Sequence, residues 1–360
     1  DLGRRMAHTL VQRQRELDPS RLSTYGGNNG INFKGINQEM DVRGFNYHIA
    51  ELDDYHKEHP TQPMVFSEVS SMVSSRGMYV KDSIKGYLPD YDMNKPRWGQ
   101  NAEQWWKFTV ERPWLMGGFV WTGFDYRGEP TPFTWPNVNS HFGIMDVCGF
   151  PKNTYYYYQS WWTDKDVIKI YPHWNGHKTG DKVNVWCNSN ADEVELVLNG
   201  KSLGKKVMPR NGHLEWDVIY EPGKLEAIGT KNGKIIRTAV ETTSAAYQIV
   251  LTPDRKSITA DGRDVSVINV SVLDKQGREI PDAMNMIQFK LNGNATILGV
   301  GNGDPSSHEA DKCLDGNWKR SLFNGKCQII LESMDKEGDF SLTATADGLQ
   351  NATATIQMKK

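Results

Sequence analysis

The sequence pattern changes at about Thr163, and this change limits the folds that the chain can adopt. Before Thr163, segments of helical periodicity alternate with short apolar segments, a pattern typical of βα units around a parallel sheet. After it, short runs alternate between apolar and polar residues and end at Asn-Gly, Pro-Gly or Asp-Gly turns, which favours β-sandwiches. We therefore predict a multi-domain protein that is α/β in residues 1–163 and all-β in residues 164–245 and 246–360.

The α/β part has the number of elements expected for half of a (β/α)8 barrel. Helices are predicted at residues 1–17, 49–59 and 102–111. Strands are predicted at residues 40–47, 63–68 and 115–121, with a weaker one at residues 22–26. Four strands are half of the eight in such a barrel. Since a half barrel leaves sheet edges open, we expect it to pair with a missing barrel half or to form a homo-oligomer.

The all-β part contains two sets of strands. The first set is predicted at residues 182–188, 193–198, 213–219 and 224–230. The second set is predicted at residues 248–252, 265–273, 286–291, 326–332 and 339–346. Cys313 and Cys327 flank a presumed loop in the second set and could meet across a hairpin, so the sequence leaves a disulfide between them open.

Composition and spacing exclude several kinds of partner. Lys and Arg total 42 against 44 Asp and Glu, a net charge of −2. Without a basic run that could neutralise phosphates, no nucleic acid partner is expected. No apolar run approaches the roughly 20 residues that span a bilayer. The 9 His residues and 4 Cys residues do not follow metal-ligand spacings, so no metal is expected. The function inferred below implies no organic cofactor either. The 12 Trp and 14 Tyr residues suit contacts with the flat C–H faces of sugars.

Glu68 ends the apolar segment of the sequence PMVFSEVSS. In a barrel of parallel strands, side chains at the carboxyl ends of the strands face the active-site mouth, so a Glu at this position is well placed to act as a nucleophile. The alternative is a structural Glu that caps the loop or pairs with Arg76.

The neighbouring predicted strands also end in residues that suit a sugar site. Asn46 and Tyr47 end one strand and are followed by His48, and Trp121 ends another. A phenol can donate a hydrogen bond to a nucleophilic carboxylate, an amide can hold a sugar hydroxyl, and an indole can stack on the ring. Asp125 lies in the loop beyond the last strand and could reach a substrate, although such a charged loop is usually just solvated.

Residues 1–163 resemble the later half of the catalytic barrel of glycoside hydrolase family 2, the β-galactosidase and β-glucuronidase family. The resemblance is carried by LDPSR at residues 17–21, FNY at 45–47, PMVFSEVSS at 63–71, GFDYRGEPTPF at 123–133, and FGIMD with GFPKNTYYYYQS near the end of this part. Residues 164–245 and 246–360 resemble the Ig-like modules that follow the barrel in bacterial members.

The resemblance implies a retaining β-glycosidase, most simply a β-galactosidase, with Glu68 as the nucleophile and Asn46, Tyr47, His48, Trp121 and Asp125 at the substrate. Its partner would be a β-galactoside oligosaccharide or polysaccharide, and we expect a periplasmic or secreted bacterial protein. The family's acid/base is the Glu of an Asn-Glu pair on the fourth barrel strand, and no such pair precedes LDPSR here. We therefore expect a fragment that lacks the acid/base and is inactive alone.

A second hypothesis needs no catalysis. The chain would then be a glycan-binding or spacer module, in which part of a barrel accompanies Ig-like domains, because a fold does not by itself determine a function.

Overall fold

The computed structural model describes residues 2–28 and 34–360, in which β-strands predominate over helices. The chain forms two compact units. The first unit consists of Asp1–Val73 and Asp92–Gly123, and the second unit consists of Ser74–Tyr91 and Phe124–Lys360.

The first unit is built on three parallel strands. Its elements are α1 (Leu2–Leu17), a 3-10 turn (Gly35–Gln38), β1 (Arg43–Asn46), a 3-10 turn (Ile49–Glu51), α2 (Leu52–Glu58), β2 (Met64–Ser70), α3 (Ala102–Val110) and β3 (Leu115–Trp121). The sheet order is β1-β2-β3, and both neighbouring pairs are parallel. The predicted strands at residues 40–47, 63–68 and 115–121 and the three predicted helices are therefore confirmed.

The predicted weak strand at residues 22–26 is wrong, because this segment forms no regular strand. The Ser23 carbonyl accepts one hydrogen bond from Val42 N–H at 3.0 Å. However, both the N–H and the hydroxyl of Ser23 donate to the Asp41 carboxylate, at 2.9 and 2.8 Å. The Asp41 side chain thus accepts the hydrogen bond from the Ser23 N–H that a neighbouring strand would accept in a β-ladder.

Helix α1 turns much of its apolar surface outward. Its buried residues are Ala7 and Val11, whereas Leu2, Met6 and Leu10 are 65%, 58% and 67% exposed. These three residues follow an i, i+4 spacing and so form one stripe along the helix. We call this stripe the α1 apolar face.

The second unit contains one helix and two β-sandwiches. Helix α4 (Asn153–Trp162) precedes the first sandwich, whose strands are β4 (Ile168–Tyr171), β5 (Lys182–Ser189), β6 (Glu193–Leu198), β7 (Lys201–Val207), β8 (Leu214–Ile219), β9 (Lys224–Lys231) and β10 (Lys234–Glu241). Its sheets are β4-β5-β8 and β10-β9-β6-β7. One core fills the space between them, with Val185 and Trp216 from one sheet and Leu196 and Leu225 from the other.

The second sandwich follows directly. Its strands are β11 (Ala246–Pro253), β12 (Ser257–Thr259), β13 (Val265–Asp274), β14 (Met286–Asn292), β15 (Ala295–Gly301), β16 (Lys319–Ser321), β17 (Cys327–Ser333), β18 (Gly338–Thr345) and β19 (Ala352–Lys359). Its sheets are β11-β13-β17-β15 and β12-β19-β18-β14-β16. Alternate residues of β17 are buried, as the period-2 pattern predicts, and Ile329 and Leu331 pack in the core with Phe340.

Both predicted β-sandwiches are thus present, although seven of their strands were not among those predicted: β4, β7, β10, β12, β15, β16 and β19. The boundaries proposed at residues 163 and 245 stay a prediction, as does the Ig-like class. Cys313 and Cys327 are both free thiols. No helix among residues 2–28 and 34–360 is long and apolar enough to cross a membrane.

Candidate active site

Glu68 lies near the carboxyl end of β2, the central strand of the parallel sheet, and is half-buried. Its register partner on β1 is Asn46, and Ser70 is paired with Trp121 on β3. Parallel strands end at the same edge of a sheet. The backbones of the predicted strand-end residues Asn46, Tyr47 and Trp121 therefore meet around Glu68.

A chain of three hydrogen-bonded groups ends on the carboxylate. The Tyr47 hydroxyl donates to Glu68 Oε2 at 3.0 Å and accepts from the Ser71 hydroxyl at 2.8 Å. The Tyr47 backbone N–H also donates to the Glu68 carbonyl at 2.9 Å. Ser71 is fully buried, so its hydroxyl orients Tyr47 without competition from solvent. One carboxylate oxygen is thereby held in place.

The backbone around the carboxylate adopts unusual conformations. Tyr47, Ser70 and Ser71 have φ angles of 67°, 73° and 57°, in the left-handed region that non-glycine residues rarely occupy. The His48 N–H donates to the Asn46 carbonyl at 2.9 Å, which closes a three-residue turn centred on Tyr47.

Contacts from the rest of the first unit hold these conformations. The Ser70 carbonyl accepts from Gln100 N–H at 2.7 Å, and the Ser71 N–H donates to the Trp121 carbonyl at 3.2 Å. Backbone strain of this kind persists only where surrounding contacts enforce it, and it concentrates at functional sites.

Asn46 is buried beside Glu68, and a close backbone approach fixes its position. Its Oδ1 accepts from the Ser67 hydroxyl at 2.7 Å, and its N–H donates to the Gly27 carbonyl at 2.7 Å. A Cβ on Gly44, two residues earlier, would lie 1.9 Å from the Tyr25 carbonyl oxygen, so only glycine fits there. With Oδ1 occupied by Ser67, the side-chain amide nitrogen is the group that can meet a ligand.

A cavity of about 510 Å³ opens beside these residues. Its wall contains Asn28, Asn46, Tyr47, His48, Ile49, Ala50, Glu51, Trp98 and Gln100. His48 Nδ1 lies 3.4 Å from Glu51 Oε1, and the Trp98 side chain is 47% exposed. The volume is within the range of small-molecule sites. His48 thus lines the cavity together with Asn46 and Tyr47.

Sequence reasoning missed Ser71, Trp98 and Gln100. Ser71 was seen only as part of a serine-rich run, and Trp98 and Gln100 come from the long connection between β2 and α3. No periodicity marks a loop residue that folds back on a strand end, so the sequence offers no signal for the last two.

Asp125 has a different position from the one predicted. It lies in the second unit, is 6% exposed, and forms an ion pair with Lys152 Nζ at 2.7 Å. Its Oδ1 also accepts from Gly143 N–H at 2.8 Å. Burial raises the pKa of the Asp125 carboxyl, and the ammonium of Lys152 opposes that shift. Both oxygens are already bonded and the side chain is buried, so the alternative of a solvated loop is wrong at Asp125. Its predicted contact with substrate stays a prediction.

Arg76, the alternative partner of Glu68 in the sequence, also lies in the second unit. Its Nε donates to Asp146 Oδ2 at 2.5 Å, and its terminal nitrogens donate to the carbonyls of Asn302, Phe323 and Asn324. The residues that the structure describes contain no group of three or more His, Cys, Asp or Glu side chains arranged to hold a metal ion.

Comparisons with known proteins extend these observations. Residues 249–355 match the family model described as glycoside hydrolase family 2 C-terminal domain 5, and residues 180–237 match a domain of unknown function. A β-galactosidase of Bacteroides ovatus is 38% identical over 98% of this chain and 43% of its own length. A β-glucuronidase of Formosa agariphila is 26% identical over 85% of this chain and 32% of its own length.

Solved structures give the same picture. The crystal structure of a β-glycosidase from Bacteroides vulgatus has a TM-score of 0.88 and 31% identity, covering 98% of this chain and 49% of that chain. A glycosyl hydrolase family 2 member from Bacteroides cellulosilyticus has a TM-score of 0.80 and 26% identity, and the match covers 99% of this chain and 47% of that chain. This chain therefore spans less than half the length of the relatives that it matches.

Proposed function

Because this chain belongs to glycoside hydrolase family 2, we propose that it carries the nucleophile of a retaining β-glycosidase, most simply a β-galactosidase. Glu68 would be the nucleophile, and Asn46, Tyr47, His48 and Trp121 would line the sugar site. The observation that carries the proposal is the 3.0 Å hydrogen bond from the Tyr47 hydroxyl to Glu68 Oε2. This bond holds one oxygen and leaves the other to attack.

The parallel strands β1, β2 and β3 would be part of a (β/α)8 barrel. Their order follows the chain, and helices α2 and α3 lie between consecutive strands, as in such a barrel. The proposed barrel would be completed by further strands of the whole protein.

Double displacement needs a second carboxylate about 5–5.5 Å from the nucleophile. Glu51 is the one carboxylate among the described residues of the cavity wall, and it lies 3.4 Å from His48 Nδ1. It stands in the 3-10 turn after β1 rather than at a strand end. We propose that the acid/base belongs to a part of the whole protein outside this chain.

The proposed reaction has two steps. Glu68 forms a bond to the anomeric carbon while the glycosidic C–O bond breaks, and the acid/base protonates the departing oxygen. Water then attacks the glycosyl-enzyme, the acid/base takes the water proton, and Glu68 leaves as a carboxylate. Asn46 would hold a sugar hydroxyl and Trp121 would offer a stacking surface.

The cavity favours a neutral sugar over a uronic acid. No Lys or Arg occurs among the described residues that line it, and Glu51 places a carboxylate there. A uronate would be repelled by that carboxylate and would find no cation to bind. This is why we prefer a β-galactoside, although relatives include both β-galactosidases and β-glucuronidases.

The hydrogen-bonded Tyr47 and the three residues at positive φ favour catalysis over a glycan-binding or spacer module. A spacer would have no need of a half-buried carboxylate in a strained setting.

A 2-deoxy-2-fluoro-β-galactoside with a good leaving group tests the nucleophile in the intact protein. We expect labelling of the peptide that contains Glu68, and loss of labelling in Glu68→Gln. Glu111→Gln is the matched control, because Glu111 caps α3 and lies away from the cavity wall. A label on another residue would refute the assignment, and a protein that is neither labelled nor hydrolytic would favour the non-catalytic module.

A further inference from the structure

The second unit contains a cavity of its own, with a volume of about 580 Å³. Residues of the segment after β2, of the first sandwich and of the second sandwich all contribute to its wall, which includes Tyr79, Tyr156, His173 and Trp174. Its volume is in the range of small-molecule sites, and it shares no residue with the candidate active site. It is therefore a separate candidate for ligand binding.

Most cations on this wall are already neutralised. Each has a carboxylate partner: Lys326 has Glu279 at 2.6 Å, Arg278 has Asp274 at 2.6 Å, and Arg76 has Asp146 at 2.5 Å. These pairs form part of the wall and have little remaining attraction for an anion.

Lys169 differs from them. It lies on β4 next to the core residue Ile170, and therefore points to the opposite face, where its Nζ lies 5.1 Å from the centroid of the Tyr156 ring. In the described part of the chain, no acceptor lies within bonding distance of its ammonium. Burial lowers the pKa of Lys169, with the charge of Asp90 acting in the opposite direction. An unpaired, partly buried cation is where an anion gains most.

We propose that this cavity binds a sugar that carries one carboxylate, such as a uronic acid unit, with the carboxylate on Lys169. The aromatic groups on the wall suit the C–H face of a pyranose, and the Tyr79 and His173 rings already contact each other edge to face at 5.2 Å. The site is distinct from Glu68 and does not depend on the proposed catalytic function.

The charges on the wall favour a monoanion over a phosphate. Asp90 and Glu241 also line the cavity, and a dianion would be repelled by them more strongly than a carboxylate. A phosphate site would in addition be expected to offer a free Arg fork or several backbone N–H groups, whereas Arg76 and Arg278 are already paired.

Isothermal titration calorimetry of the protein with D-galacturonate tests the proposal. We expect saturable binding that Lys169→Met weakens at least about tenfold, as loss of an ion pair would. Lys165→Met is the matched control, because Lys165 is exposed and lies outside the wall, and it should bind like the parent. Glu68→Gln should also bind like the parent, which separates this site from the active site.

Three results would overturn the proposal: no binding of D-galacturonate, equal binding by Lys169→Met, or equally tight binding of D-galactose or inorganic phosphate. Circular dichroism would check that the variants fold. If Lys169→Met does not fold, Tyr156→Leu removes the ring beneath the ammonium, and unchanged affinity in that variant would count against the site.

Discussion

Tyr47→Phe should slow the release of sugar from Glu68 more than its attachment. The Tyr47 hydroxyl donates to Glu68 Oε2 at 3.0 Å. In the proposed reaction, Glu68 loses its negative charge when it forms the glycosyl-enzyme and regains that charge when it leaves. A donor on the carboxylate therefore stabilises the second transition state as the charge returns. Without the donor, the second step becomes rate-limiting.

The size of the effect follows from the type of bond. A hydrogen bond to a charged group contributes about 1.5–3 kcal/mol. At about 1.4 kcal/mol per factor of ten, kcat should fall roughly 10- to 150-fold. KM should fall with it, because the glycosyl-enzyme accumulates.

Pre-steady-state kinetics of the intact protein with a dinitrophenyl β-galactoside would measure this. The Tyr47→Phe variant should release one equivalent of dinitrophenol in a burst and then turn over slowly. Ser71→Ala is the matched control, because it removes the donor to Tyr47 but keeps the bond to Glu68, and its kcat should change less than about threefold. A Tyr47→Phe enzyme with unchanged kcat, or with a lower kcat and no burst, would refute this reasoning.

Three further predictions concern stability and association. Burial lowers the pKa of His141 to about 3 from an ordinary 6.5, so its contribution to stability is complete above pH 6.5 and is lost as the pH falls toward 3. In that range the free energy of unfolding can change by about 1.4 kcal/mol per pH unit. His141→Gln should therefore flatten the acid limb of the Tm profile. Lys152→Met should lower the free energy of unfolding in urea by about 3–5 kcal/mol, because it leaves the buried Asp125 without its partner at 2.7 Å. Adding Asp125→Leu should recover most of that loss. A double variant whose loss equals the sum of the two single losses would contradict this. Leu10→Glu on the α1 apolar face should reduce self-association of the isolated chain in light scattering, whereas Arg5→Glu should not. A parent chain that is cleanly monomeric would contradict the expectation.

The strands were predictable because their side chains repeat with period two or form short apolar runs. β3 was predicted with its observed bounds, and Glu68 with its place at a strand end. The parallel pairing of β1, β2 and β3 then brought Asn46 and Trp121 to the same edge. Local pattern and chain order are sufficient for that part of the site.

The predictions that were wrong or missing concern residues whose positions depend on tertiary contacts. Asp125 looks like a solvated loop residue in the sequence, and only its neighbour Lys152, 27 positions away, makes it a buried partner. Gln100 reaches the site through a hydrogen bond to the Ser70 carbonyl, which no periodicity encodes. The segment at residues 22–26 failed because the side chain of Asp41 took the donors of Ser23.

The backbone at the site argues that its residues serve something other than stability. Three non-glycine residues in the left-handed region cost on the order of 3 kcal/mol or more together, a large share of the 5–15 kcal/mol that holds a typical domain. Glycine would remove the strain at each position. It would also remove the hydroxyls of Tyr47 and Ser71, which form the chain of hydrogen bonds that ends on Glu68. The molecule thus keeps a costly backbone where the side chains hold one carboxylate, as the proposed role of Glu68 as a nucleophile would require.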